Sequence, residues 1–145
     1  MTNKYLSIMK FITLIIAVFI IACTSKEDIA PQSIVGKWAP TYITQTRQAD
    51  GTFDAWHTIN TFVALPVLEF TSDGRFLRDG KPGGACCSSG NKYSVSGDKI
   101  IFDDMPFCAN VLCIACPTGW IINEIKGDTL ILETCNVRNK YVKTK

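Results

Sequence analysis

Short β-type runs separated by turn residues fill the chain from Ile34 to Lys145, and no stretch in this range shows sustained helical periodicity. Pro66, within one of these runs, indicates a bulge or an unpaired edge, because proline has no N–H for a β-ladder. The pattern predicts one all-β domain with one core. Its eight predicted strands lie at about residues 34–46, 61–70, 75–78, 92–95, 99–102, 120–125, 129–134 and 138–143.

The predicted connections alternate in length. Tight turns at Thr71–Gly74, Ser96–Asp98 and Lys126–Asp128 follow the second, fourth and sixth strands, whereas long loops follow the first, third and fifth. Alternate connections of an up-and-down meander lie at the same end of the sheet. The sequence therefore predicts a single eight-stranded antiparallel up-and-down barrel with a closed end and a loop-ringed mouth.

The N-terminal segment is predicted to be an export signal. Lys4 and Lys10 precede or border a predominantly apolar run from Phe11 to Ala22, which is too short to span a bilayer as a stable helix and has no polar face to border water. The run closes on Ile20-Ile21-Ala22-Cys23, which resembles the lipobox of bacterial lipoproteins. The resemblance implies a signal helix over residues 1–22. It also implies that Cys23 is lipidated by acyl chains such as palmitate, becomes the new N-terminus and anchors the protein to a membrane.

Residues 23–33 are predicted to form a lipidated tether between the anchor and the folded domain of residues 34–145. Lys26, Glu27 and Asp28 look like the surface-export tags of some Gram-negative outer-membrane lipoproteins, and a plain solvated spacer is the alternative. The expected location is therefore the outer membrane, with the protein lipid-anchored and facing the periplasm or the cell surface.

The charge balance argues against a nucleic-acid partner. The full chain has 15 Lys and Arg against 13 Asp and Glu. Removal of residues 1–22 takes away Lys4 and Lys10 and no acidic residue, so the mature chain would carry equal numbers of basic and acidic side chains. Such a domain lacks the basic surface that neutralises phosphates.

Three short motifs carry a resemblance to the lipocalins. Gly36-Lys37-Trp38 at the start of the first strand is similar to their Gly-x-Trp, and Trp120-Ile121-Ile122 with Gly127-Asp128-Thr129-Leu130 looks like small bacterial lipocalin-like lipoproteins. The resemblance covers nearly all of residues 34–145. It implies a lipocalin-like barrel that binds small apolar or amphipathic molecules, although some members of the family serve as inhibitors or interaction modules.

The barrel floor is one place where this sequence departs from that family. In the family, the residue matching Trp38 closes the floor beneath an arginine from the last strand. The last predicted strand has Tyr141, Val142 and Lys143 near its end and no arginine there. We therefore expect this floor to be built differently.

Five side chains are candidate ligand contacts in such a barrel: Trp38, Trp56, His57, Phe70 and Trp120. Trp38, Phe70 and Trp120 lie on predicted strands and would face inward. Trp56 and His57 lie where a mouth loop would fold over the cavity, with packing of that loop as the alternative. Alternation does not decide whether the interior is hollow, because Ile121 and Ile122 are both apolar.

Catalysis is not expected. His57 is the only histidine, so one chain cannot form a histidine-based triad or a multi-histidine metal centre. Asp103 and Asp104 are the one adjacent carboxylate pair outside the tether, and neighbours on a loop usually both face water. We therefore predict neither an enzyme nor a cofactor.

Of seven cysteines, six remain once Cys23 is assigned to lipid, and all six map to the predicted mouth: Cys86, Cys87, Cys108, Cys113, Cys116 and Cys135. An exported chain folds in an oxidising compartment, so an even set of clustered cysteines favours disulfides. Neighbouring Cys86 and Cys87 fit disulfide geometry poorly as a pair. Each is therefore expected to bridge to the loop of residues 103–118 or to Cys135, tying the loops into a lid.

A metal site is the alternative for these cysteines. The spacing of Cys108, Cys113 and Cys116 matches plant-type iron–sulfur proteins, with Cys135 as a fourth thiolate. Cys113-x-x-Cys116 with the Cys86-Cys87 pair would suit zinc. Disulfides are favoured because lipoproteins of this type usually cross the inner membrane unfolded, so a cluster would have to be assembled outside the cytoplasm.

Two functions from different classes follow from this sequence. In the first, the barrel of an envelope lipoprotein binds a small apolar or amphipathic ligand. In the second, the interior is filled by its own side chains, and the cysteine-pinned loops bind a protein or a glycan. Eight-stranded barrels are found packed or hollow, and fold likeness alone does not assign function. A thiolate metal protein is the third and least favoured alternative.

Overall fold

The computed structural model describes residues 34–109 and 119–145. The predicted signal helix, the lipidation of Cys23, the tether, and Cys113 and Cys116 all lie outside these residues. Within the described part no helix is long and apolar enough to cross a membrane.

The described residues form an all-β structure, and each predicted run contributes a strand. The ten strands are β1 (Gly36–Thr46), β2 (His57–Thr58), β3 (Leu68–Phe70), β4 (Phe76–Arg78), β5 (Lys81–Pro82), β6 (Lys92–Ser96), β7 (Lys99–Asp103), β8 (Trp120–Lys126), β9 (Thr129–Thr134) and β10 (Val137–Thr144). Two of them, β2 and β5, were not predicted, and they have two residues each. The second predicted run, residues 61–70, forms a strand only after Pro66, as β3, and Pro66 itself has no N–H for a β-ladder.

One antiparallel sheet contains all ten strands. Nine of them follow the order β5-β4-β3-β1-β10-β9-β8-β7-β6, and β2 pairs with β1. The first long strand therefore pairs with the last one, from Lys37 opposite Thr144 to Thr46 opposite Val137. This pairing curls the sheet into a half-barrel.

The prediction of a closed eight-stranded barrel is wrong. Among the described residues the two ends of the sheet meet only at the bridge between Arg75 and Lys92, not along a continuous ladder. The physical reason is β5, which folds back on β4 and pairs Lys81 with Arg78. Its pairing occupies the edge of β4 that β6 would need for closure.

The two ends of the half-barrel differ as predicted. The short turns before β4, β7 and β9 lie together at one end, which we call the turn end. The connections β1–β3, β4–β6 and β7–β8 leave from the other end, which we call the loop end.

The core fills the turn end of the half-barrel. Trp38 is fully buried, and its Nε1 donates to the carbonyl of Ile34 at 2.7 Å. Aromatic rings continue the core across the sheet, with Phe70 and Phe76 centroids 5.1 Å apart and Phe76 and Trp120 centroids 5.4 Å apart. This end of the sheet is a packed interior.

Lys143 lies over Trp38, where the resemblance to the lipocalins implies an arginine that this sequence lacks. It is the register partner of Trp38 on β10, and its Nζ lies 5.3 Å from the centroid of the Trp38 ring. A cation from the last strand therefore still lies over the floor tryptophan, and it is a lysine.

Candidate ligand cavity

A cavity of about 300 Å³ lies at the loop end of the half-barrel. Apolar and aromatic side chains form one part of its wall, namely Leu65, Pro66, Leu68, Trp120 and Tyr141. Polar and charged residues form the rest, namely Arg78, Ser88, Thr134, Cys135 and Asn139. A mostly apolar cavity with a few convergent polar groups is typical of a small-molecule site.

Strand alternation places Arg78 in this cavity. Phe70 pairs with Phe76 and Leu68 pairs with Arg78 across β3 and β4, so these four side chains share one face of the sheet. Phe70 and Phe76 are fully buried in the core. Arg78 is the next inward residue toward the loop end, where the packed core gives way to the cavity.

The Arg78 guanidinium lies 5.7 Å from the centroid of the Phe76 ring and 6.0 Å from that of Trp120, and its hydrogen bonding is only partly used. Its Nη2 donates to Ser89 Oγ at 3.1 Å, and Ser89 Oγ donates to the carbonyl of Gly83 at 3.0 Å. Its Nε is buried and has no hydrogen-bond partner among the described residues. Burial lowers the pKa of Arg78, and its electrostatic interaction with Tyr141 opposes that change. Arginine nevertheless remains charged at neutral pH.

Tyr141 provides a neutral donor in the same cavity. It lies on β10 and packs against the core. Burial raises the pKa of Tyr141 to about 12, and the positive charge of Arg78 opposes this rise. The phenol is therefore protonated at neutral pH and has an O–H to donate.

A disulfide joins the β4–β6 connection to the segment that follows β7. Cys86 is bonded to Cys108, with a Cα–Cα distance of 5.9 Å, and this confirms the prediction that Cys86 bridges to the loop after β7. Cys87 and Cys135 are also disulfide-bonded. Closing a loop of 22 residues stabilises the fold by roughly 3 kcal/mol in the chain-entropy model.

The same disulfide removes ligands from the metal alternatives. A disulfide-bonded sulfur is not a thiolate, so Cys108 is not available to the iron–sulfur set and Cys86 is not available to the zinc set. The residues that the structure describes contain no group of three or more side chains suited to a metal ion.

Close backbone packing also fixes the connection between β4 and β6. A Cβ on Gly90 would lie 1.8 Å from the carbonyl oxygen of Asp103 on β7, so only glycine fits there. Beside it, Asn91 Nδ2 donates to the Asp104 carboxylate at 3.3 Å. Asp103 and Asp104 are both exposed, and they do not line the cavity.

Of the five predicted ligand contacts, Trp120 lines the cavity. Trp38 and Phe70 lie in the packed core with no exposed surface. Trp56 is 38% exposed beneath Lys140, whose Nζ lies 5.1 Å from the indole centroid. Lys140 alternates with Tyr141 along β10, so this contact is on the opposite face of the sheet from the cavity.

His57 also lies away from the cavity. It is on β2, and its Nε2 lies 3.3 Å from Thr44 Oγ1. Its Nδ1 lies 3.2 Å from the carbonyl oxygen of Ala55. These contacts match the loop-packing alternative for this residue.

A wider depression of about 540 Å³ lies beside Thr41 and Tyr42, where β1 is bulged between Pro40 and Thr44. Its other walls come from the connection between β2 and β3, mostly from exposed residues. It is more open to solvent than the smaller cavity, and its lining is less apolar, so the smaller cavity is the better candidate.

Sequence reasoning missed Arg78 and Tyr141 as cavity residues. The signal that would have found Arg78 is its spacing from Phe76, because residues two apart on a strand share a face. An arginine two residues after a core phenylalanine faces inward unless the strand ends first.

Comparisons of the chain with protein-family models, with curated proteins and with solved structures give no match. The argument for function therefore comes from the cavity and its residues.

Proposed function

We propose that this chain is an envelope lipoprotein, anchored through Cys23, whose lipocalin-like half-barrel binds a small amphipathic molecule. The cavity at the loop end is the observation that carries this proposal. Its volume of about 300 Å³ is at the lower end of the range for ligand sites. A short aliphatic chain or a single ring with a polar head is the size of ligand that we expect.

The two ends of the half-barrel differ in packing, and this difference supports the proposal. The turn end is filled by its own side chains, with Trp38, Phe70 and Phe76 fully buried. The loop end keeps a partly open cavity beside Trp120. This arrangement favours ligand binding over a fully packed interior, and it needs neither catalysis nor a cofactor.

The position of Ile34 indicates where a membrane tether would join the domain relative to the cavity. The described domain begins at Ile34, which bonds to Trp38 in the core of the turn end. A tether over residues 23–33 would therefore join the domain at the end opposite the cavity. An anchored protein would hold the cavity mouth away from its membrane.

Native mass spectrometry of the full chain, extracted from envelope membranes in mild detergent, tests the ligand-binding proposal. We expect a small-molecule adduct on the wild-type protein. Thr134→Phe, which fills the cavity, should lose the adduct. Thr129→Phe, on the other face of the same strand, should keep it. A chain that carries no adduct and takes none up from an envelope lipid extract would overturn the proposal.

A second candidate function is binding of a protein or a glycan by the loop end. Phe62 is fully exposed and Phe107 is 93% exposed, and both lie on connections that leave from this end. Exposed aromatic side chains are enriched at binding surfaces. If this candidate is right, Phe62→Ser with Phe107→Ser abolishes partner capture while the fold and the cavity adduct are unchanged.

A further inference from the structure

Arg78 is a part-buried cation with no acidic partner among residues 34–109 and 119–145. The ion pairs between residues that the structure describes join other side chains, such as Arg47 with Glu133 and Arg75 with Asp73. Charged side chains are rarely buried unless they are paired, because desolvation of a lone charge is unfavourable. An unpaired arginine in a cavity therefore points to a ligand that supplies the missing charge.

The hydrogen-bonding capacity of Arg78 is also only partly used. A guanidinium has five N–H donors in a planar fork. Ser89 Oγ takes one of them at Nη2, and Nε has no partner within residues 34–109 and 119–145. A buried donor without an acceptor is unfavourable until an acceptor arrives.

We infer that the cavity takes a small carboxylate, whose head group pairs with the guanidinium of Arg78. This inference rests on the proposed ligand-binding function and specifies the chemistry of the ligand. The planar fork of arginine matches the two oxygens of a carboxylate. The O–H of Tyr141 provides another donor in the same wall.

The rest of the wall suits the apolar body of such an acid. Leu68 and Trp120 are buried residues that face the cavity, and Leu65 lines it beside them. Apolar contact with these side chains favours a hydrocarbon chain or ring by about 25 cal/mol for each Å² removed from water. The expected ligand is therefore a short-chain or single-ring carboxylic acid rather than a polar metabolite.

Charge matching favours a carboxylate over a phosphate. Arg78 is the only lysine or arginine among the residues that line the described cavity. One cation balances one negative charge, whereas a phosphate monoester carries between one and two at neutral pH. Phosphate sites are built from several cations or from clustered backbone N–H groups.

Equilibrium dialysis with two isosteric probes tests this inference. The full chain, held in amphipol, is dialysed against octanoate and against octanamide, which has the same chain and a neutral head. We expect octanoate to bind roughly tenfold tighter or more, as charge-assisted hydrogen bonds would give. Arg78→Gln should remove that preference. Arg75→Gln, which changes an exposed arginine bonded to Asp73, should keep it.

The outcomes separate this inference from the function on which it rests. Equal binding of the two probes would overturn the carboxylate inference and leave the ligand-binding proposal standing. Binding of neither probe would overturn the carboxylate inference, whereas the ligand-binding proposal would still be decided by the adduct in native mass spectrometry. If octyl phosphate bound more than tenfold tighter than octanoate, the choice of a carboxylate would be wrong. Should Arg78→Gln fail to fold, Arg78→Lys should reduce the octanoate preference at least roughly threefold, because lysine lacks the fork. An unchanged preference in that variant would also contradict the inference.

Discussion

Arg78 Nη2 donates to Ser89 Oγ at 3.1 Å, and this hydrogen bond joins β4 to the connection that borders the cavity. Ser89 is fully buried, and its hydroxyl group in turn donates a hydrogen bond to the carbonyl of Gly83. Part of the cavity wall therefore depends on one hydroxyl group.

Substitution Ser89→Ala should destabilise the fold by about 1–3 kcal/mol, because it leaves buried polar groups without partners. The free energy of unfolding, measured by urea denaturation, checks this. Ser88→Ala is the matched control, since Ser88 is the exposed neighbour, and it should change stability little. Equal stabilities of the two variants would contradict a structural role for the Arg78–Ser89 contact.

Glu133 should make stability depend on pH in the acid range. Burial raises its pKa, but hydrogen bonds from Arg47, Arg138 and Asn123 together outweigh burial and hold the pKa below its ordinary value. A lowered pKa contributes stability that is present above the ordinary glutamate pKa and is lost as the pH falls through the folded-state pKa.

Glu133→Gln should therefore cost about 1–3 kcal/mol at neutral pH, and this difference from wild type should shrink in acid. Unfolding curves recorded at several pH values provide the measurement. Glu124→Gln, an exposed glutamate on β8, is the control and should show no such pattern. A loss for Glu133→Gln that is the same at every pH would rule out the electrostatic account.

The disulfide between Cys86 and Cys108 should be detectable and stabilising. Non-reducing digestion should yield a peptide that joins these two residues, and alkylation should find no free thiol at Cys87 or Cys135. Replacing Cys86 and Cys108 together by alanine should lower the free energy of unfolding by roughly 3 kcal/mol. A peptide that joins Cys86 to another cysteine would show that these two connections are linked differently.

Lys143 over Trp38 should contribute modestly to stability. Lys143→Glu removes the cation from the ring face, and we expect a loss of about 0.5–1 kcal/mol. Lys143→Arg keeps a cation over the Trp38 ring and should be neutral or slightly stabilising. Lys126→Glu, at the last residue of β8 and at the same end of the sheet, controls for the change in net charge. If Lys126→Glu lowered the free energy of unfolding as much as Lys143→Glu, the contact between Lys143 and the Trp38 ring would contribute nothing to stability.

Most strands could be predicted because their signals are local. Alternation of apolar and polar residues indicates a strand, and turn residues such as Gly97 and Gly127 mark where it ends. Neither signal depends on the rest of the chain. The failure to close the barrel is different, because it depends on whether β4 pairs with β5 or with β6. Both competing segments follow β4 closely in the chain, and hydrophobic periodicity does not report which of them pairs with it.

The cavity was harder to predict than the strands for a related reason. An arginine at the end of a short strand is typical of an exposed side chain, and only the pairing of Arg78 with Leu68 places it inside. Trp38 and Phe70 were expected at the ligand because aromatic residues suit both cores and cavities. Their position near the turn end, where the core fills the half-barrel, is a property of the assembled sheet.

The most direct test of ligand binding at the loop end uses the three tryptophans as reporters. Labelling the full chain with 5-fluorotryptophan gives one ¹⁹F resonance each for Trp38, Trp56 and Trp120, assigned by tryptophan-to-phenylalanine variants. We predict that octanoate shifts the Trp120 resonance in a saturable way and leaves Trp56 unchanged. A Trp120 resonance that does not move at saturating octanoate, or a shift confined to Trp56, would contradict a binding site in this cavity.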